Sequence, residues 1–319
     1  MDEKFWLYEE CPGHTLNVIF SARTIAPGRF SMYKSAKVLE GARLYLNCAS
    51  NTWYQNDIKF ITDLIKSYRG RRHLRIVGIS MGGYAAVVWG CMFPFAHTVA
   101  FSPNLIIDTP FTHSWYYKFN PVKAYANMLT SLTKRNPQKL SIFFGSRDLV
   151  DMYYYGMAKK ANITGTYALH SSHSTAAYLE NHGLLTPVIN GTVSDEDLKR
   201  HLVNPDPDLA VNRFYTYCDT MRLLSTLSGH AVLDGCATLD RSLFNAGLFQ
   251  KLTQDLSICG FIKAGEGVVD YCASEKILDE KIIERLRLML GRSNVRRLSS
   301  KPVLPMMADE IDGRRIRQS

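Results

Sequence analysis

The residues best suited to do chemistry are Gly78-Ile79-Ser80-Met81-Gly82, a G-x-S-x-G pentapeptide followed by Gly83. Leu74 to Ile79 reads as a strand and Gly83 to Gly90 as a close-packed helix, which puts Ser80 on the turn between them. Such a turn forces the serine backbone into an unfavourable conformation and pushes its hydroxyl into the open. Glycines are required at 78 and 82 because a Cβ at either would strike the neighbouring strand or helix. The same turn aims the first helical amides at the hydroxyl, so Met81 N–H is a candidate donor to a developing oxyanion.

A serine hydroxyl is a weak nucleophile until a base takes its proton, so an imidazole and a carboxylate are needed downstream. The run Leu140 to Phe144 followed by Gly145-Ser-Arg-Asp148 is a strand ending in a loop acid, and Asp148 is the expected carboxylate. Asp151 is the reserve, though it reads more as the N-cap of the following helix. The next strand ends in His170-Ser-Ser-His173-Ser. His173, just ahead of a helix start at Ser174, is preferred as the base; His170 lies closer to the strand, and His182 reads as a surface residue.

The elements needed to position these groups are present. Between residue 16 and about 187, short β-branched runs alternate with amphipathic stretches, the pattern of a parallel sheet with helical crossovers. The strands are expected at Leu16–Ser21, Ala42–Asn47, Leu74–Ile79, His97–Phe101, Leu140–Phe144 and Thr166–Leu169, with Phe5–Glu9 as an extra edge strand. Helices are expected at Asp57–Tyr68, Met81–Met92, Asp151–Asn162 and Thr175–Leu185. Residues 105–137 are too long for a short crossover; they read as a cap in which Trp115, Tyr116, Tyr117, Phe119 and Tyr125 either pack on the body or line a pocket.

After Pro187 strands disappear and helical patterns take over, starting at Ser194-Asp-Glu-Asp, an N-cap with acids in the first turn. The expected organisation is a catalytic domain over 1–190, a helical region over 191–292, and a basic, loosely ordered tail over 293–319.

The chain from about residue 16 to 187 resembles the α/β-hydrolase superfamily, in the order nucleophile elbow, acid, histidine. The resemblance implies a mostly parallel sheet flanked by helices, to which the helical pattern after Pro187 adds a C-terminal extension or domain. It also implies a second oxyanion amide from the loop after an earlier strand, where Phe20-Ser21-Ala22-Arg23 stands, making Ala22 or Arg23 the donor. The implied activity is that of a serine hydrolase cleaving an ester or thioester through a Ser80–His173–Asp148 triad and an acyl-enzyme. An acyltransferase passing the group to a sugar or other alcohol and a non-catalytic scaffold binding a protein partner are the alternatives.

Composition narrows the remaining choices. Hydrophobic residues at 46% and charged residues at 21% describe a globular chain. The net charge of +9 is mostly dispersed, with runs at Arg69–Arg75 and Arg285–Arg297 that read as solvated faces, so nucleic acid is not the expected partner. Expected partners are a small-molecule or glycan-linked ester and a protein at the helical region. No metal-ligand spacing or dinucleotide fingerprint occurs, so no cofactor and no metal are expected. Seven scattered cysteines, an acidic amino terminus and the lack of a long apolar run predict a cytoplasmic protein without a transmembrane segment.

Overall fold

The computed structural model describes residues 5–107, 127–134, 137–240 and 244–298. Eight strands form one sheet in the order β1-β3-β2-β4-β5-β6-β7-β8. They are β1 (Trp6–Glu9), β2 (Thr15–Phe20), β3 (Ala42–Leu46), β4 (His73–Ile79), β5 (His97–Phe101), β6 (Lys139–Gly145), β7 (Thr166–Leu169) and β8 (Leu202–Val203). The six central strands are parallel; β1 and β8 close the two edges antiparallel to β3 and β7.

Helices around the sheet are α1 (Ile58–Arg69), α2 (Met81–Met92), α3 (Met128–Lys134), α4 (Leu149–Lys160), α5 (Thr175–Asn181), α6 (Leu185–Asn190) and α7 (Asp195–Lys199). The expected fold class, a mostly parallel sheet flanked by helices, is thus the observed one. Two local expectations are corrected. Strands do not end at Pro187, because Leu202 and Val203 pair with Leu169 and Ala168. The expected helix from Thr175 to Leu185 is divided, because Gly183 takes φ +71°, which a continuing helix cannot accommodate.

The strand that leads to Ser80 is central, and α2 behind it is buried along its length apart from Met92. This follows from composition: small and apolar residues occupy every face of the helix, so no face can be left to water. Trp89 stacks on Phe20 with ring centroids 4.9 Å apart and donates Nε1–H to Thr62 Oγ1 at 3.1 Å, fastening α2 to β2 and α1. On the other face, Phe101, Phe143 and Tyr167 are register neighbours on β5, β6 and β7 and stack in a row at 5.6 and 5.1 Å. Such cross-strand aromatic pairs contribute roughly 0.2–1 kcal/mol each beyond alanine pairs, and here they fix the strand ends from which the candidate site is built.

Two compact units divide at Phe214, within α8 (Pro207–Ser225). The second unit, from Tyr215 onward, contains α9 (His230–Ala237), α10 (Ala246–Cys259), α11 (Ile262–Ser274) and α12 (Glu280–Leu298). Its interior is built on Phe249, Leu252, Leu256, Val268, Val269 and Leu286, with Tyr217 Oη donating to Asp255 Oδ2 at 2.6 Å. Gly265 and Gly267 lie inside α11, where an added Cβ would meet Leu290 and Val232 at 2.8 Å, so they serve close helix packing. No helix among the described residues is long and apolar enough to cross a membrane. The candidate cap at 105–137, with its aromatic cluster from Trp115 to Tyr125, lies mostly outside the described residues, as does the tail beyond Leu298.

Candidate active site

Ser80 follows β4 as the residue before α2, with φ +53° and ψ −115°. This left-handed conformation costs a non-glycine residue on the order of 1–3 kcal/mol and persists only where surrounding structure imposes it. The imposition is visible: Ser80 N–H donates to Phe101 O at 2.8 Å, while Ser80 O accepts Tyr84 N–H at 3.0 Å as the helix begins. A Cβ on Gly78 would stand 1.9 Å from Gly82 O, and one on Gly82 would stand 2.2 Å from Phe20 O. Both glycines are therefore dictated by backbone-to-backbone approach, and Ser80 is left half-exposed.

His173 is held in the loop between β7 and α5. Its Nε2 lies 3.0 Å from Ser80 Oγ and its Nδ1 lies 2.8 Å from Asp151 Oδ1. The imidazole side chain is 41% exposed, whereas that of Asp151 is 1% exposed. Asp151 Oδ2 accepts from Gly145 N–H at 2.8 Å and from Ser102 Oγ at 2.7 Å. A carboxylate so surrounded by donors is an acceptor only. The Nδ1 proton of His173 therefore points to Asp151, and Nε2 presents its lone pair to the Ser80 hydroxyl.

The acid predicted from sequence is corrected here. Asp148 is the N-cap of α4, and its Oδ1 accepts from Val150 N–H at 2.9 Å and Asp151 N–H at 3.0 Å. The helix begins two residues earlier than expected, which gives Asp148 the capping role and places Asp151 in the first turn, buried and turned towards His173. The signal was in the sequence: Leu149, Val150, Met152 and Tyr153 begin the apolar pattern directly after Asp148, the usual place of a cap. Ser102 and Thr175, whose Oγ1 lies 3.0 Å from Ser102 Oγ, were not anticipated.

The other predicted residues fall as follows. Met81 is the first residue of α2, where amides lack intrahelical acceptors and point out of the helix end. Ala22 does not present its amide, which donates to Ser31 Oγ at 2.9 Å. Arg23, beside it, is half-buried. Their loop is tied down by Asn47, whose Nδ2 lies within hydrogen-bonding reach of the Ile25, Ala26 and Arg29 carbonyls at 3.2, 3.0 and 3.0 Å. It is also tied by Tyr54, which donates to Ser21 O at 2.9 Å; burial pushes the Tyr54 hydroxyl well above its ordinary pKa and keeps it a donor. His170 is exposed, and His182 is exposed with Nδ1 2.7 Å from Tyr178 O. Tyr153, Tyr154 and Tyr155 are buried packing residues, Tyr153 stacking on Phe214 at 4.0 Å.

Asp148, Asp151 and His173 bring their ligand-type atoms within 4.8 Å of one another, the single such cluster of three among the described residues. Both Asp151 oxygens and Asp148 Oδ1 already accept protein donors, so a cation there would have to displace those bonds. The donor set suits a proton relay better than a metal.

A serine at the bend after β4, a carboxylate in the segment after β6 and an imidazole after β7, on a mostly parallel sheet, define an α/β-hydrolase-like fold. Among solved structures, the chain is similar to a capsule O-acetyltransferase of Neisseria meningitidis serogroup A, at 15% identity and a TM-score of 0.43, over 58% of this chain and 90% of that one. It is also similar to an alpha-beta serine hydrolase homologue from Coxiella burnetii, at 12% identity and a TM-score of 0.39, over 59% of this chain and 89% of that one. No protein-family model and no curated protein sequence matches the chain.

Proposed function

We propose that this chain is a serine hydrolase that cleaves an ester or thioester, with Ser80 as nucleophile, His173 as base and Asp151 as the orienting acid. The observation that carries the proposal is the continuous contact from Ser80 Oγ through His173 to Asp151 at 3.0 and 2.8 Å. In the reaction, Ser80 Oγ bonds to the acyl carbon while its proton passes to His173 Nε2. The carbonyl oxygen takes up the displaced electron pair as an oxyanion, facing the Met81 amide and, as the second proposed donor, the Arg23 amide.

When the intermediate collapses, the imidazolium returns its proton to the departing alcohol or thiol. Water then enters by the same route in reverse and releases the acid. Asp151 holds the imidazole in the tautomer that can accept at Nε2.

The test is labelling by a fluorophosphonate probe, together with turnover of p-nitrophenyl esters of differing acyl length and charge. Wild-type protein should label at Ser80 and Ser80→Ala should not. Product that forms only when an alcohol is supplied would redirect the reading to acyl transfer. A folded wild-type protein that neither labels nor turns over any ester would leave the chain as a scaffold.

A further inference from the structure

Ser102 is fully buried at the end of β5 and adopts φ +46°, a conformation in which a non-glycine residue is strained. Glycine would make this turn at less cost, so the serine side chain calls for a reason. Its hydroxyl lies 2.7 Å from Asp151 Oδ2 and 3.0 Å from Thr175 Oγ1. A serine has one proton to give, and the carboxylate can only accept. Ser102 therefore donates to Asp151, and Thr175, itself fully buried, donates to Ser102. The backbone of Ser102 is locked by its own N–H to Phe143 O at 2.7 Å.

We propose that Ser102, oriented by Thr175, is a positioning residue that holds the Asp151 carboxylate aimed at His173. The inference rests on the hydrolase reading above and extends its relay to Thr175–Ser102–Asp151–His173–Ser80. The Ser102 hydroxyl and the Gly145 amide both bond the oxygen that does not face the imidazole, which fixes the orientation of the carboxylate. Among the described residues, His173 and Asp148 bring their ligand-type atoms within 4.8 Å of those of Asp151. Thr175 opens the helix directly after the His173 loop, so one short hydroxyl chain sets the acid against the element that carries the base.

The experiment is the second-order rate of fluorophosphonate labelling at Ser80 between pH 5 and 9, for wild type, Ser102→Ala, Ser102→Gly, Thr175→Val and Thr175→Ser. Losing a hydrogen bond to a charged acceptor should slow labelling by about 10- to 100-fold in both Ser102 variants. It should also displace the acid limb of the profile, because the carboxylate that orients the His173 base has one hydrogen bond fewer. Thr175→Val should lose several-fold and Thr175→Ser should recover it.

Ser102→Gly relieves the backbone while removing the hydroxyl, so it guards against a loss that is merely conformational. If wild type labels at Ser80 and Ser102→Gly matches it in rate and pH profile, the positioning role is overturned and the triad stands. If wild type does not label at all, the triad reading fails and takes this inference with it.

Discussion

Towards the N-terminal ends of the parallel strands, buried polar side chains spend their hydrogen bonds mainly on backbone carbonyls; around Ser80, at the C-terminal ends, they bond to one another. Asn17 of β2 reaches Glu40 O and Ala42 O, and Arg43 of β3 reaches Ala36 O, Lys37 O and Leu39 O. These contacts tie loops to the sheet. At the opposite edge Ser80, His173, Asp151, Ser102 and Thr175 come from five separate segments and meet side chain to side chain. Backbone strain is concentrated on the same side, though not confined to it. Of the nine described non-glycine residues with positive φ, Thr24, Met32, Asn51, Trp53, Tyr54, Ser80 and Ser102 lie in segments that follow β2 to β5, whereas Asn162 precedes β7 and Lys276 lies in the helical unit. One edge is built for holding the sheet together, and the other concentrates strain where chemistry would use it.

The sharpest way to break this comparison is at its centre. Ser80→Ala and His173→Ala should each lower ester turnover by about 10⁵- to 10⁶-fold and to a similar degree, because members of such a relay act as a unit. A variant at either position that keeps a tenth of wild-type turnover would mean that the strained edge is not catalytic. Next in size, Asp151→Asn should cost about 10³- to 10⁴-fold in kcat by presenting the wrong tautomer of His173. Asp148→Asn, by contrast, should leave kcat within about threefold of wild type, since asparagine caps helices as well as aspartate. The reverse ranking of these two would restore the acid first expected from sequence.

The N-terminal edge should answer to pH through stability alone. His97, half-buried at the start of β5, has its pKa lowered from 6.5 to about 4 by desolvation and by the neighbouring Arg75 and Lys139 charges. Its folded form resists a proton that the unfolded chain accepts, so its contribution is complete above pH 6.5 and is lost as pH falls towards 4. The loss should amount to about 2 kcal/mol after allowance for solvent screening. Chemical denaturation at pH 7.5 and 4.5 should show a smaller pH dependence in His97→Gln than in wild type; identical slopes would remove this account. The smallest effect is expected for Asp148→Ala, which should destabilise by about 1 kcal/mol through loss of the cap, read as a lower denaturation midpoint.

What could be read from the sequence divides along the same physical line. The elbow was legible because it needs contiguous residues, Gly78 to Gly82, whose steric demands are local. The six parallel strands were legible because each is an apolar run buried by its neighbours. The acid was misplaced because Asp148 and Asp151 are both helix-start residues, and choosing between them depended on where the helix begins. Ser102 carried no motif at all: a lone serine after a strand gains its meaning from Asp151, 49 positions away. β8, two residues long, exists as a strand only by pairing with β7.

Gly145 joins these threads. Its amide feeds Asp151, and a Cβ there would stand 2.0 Å from Ser172 O in the histidine loop. A saturation library across this corner should accordingly return glycine alone at 145, whatever ester is used for selection.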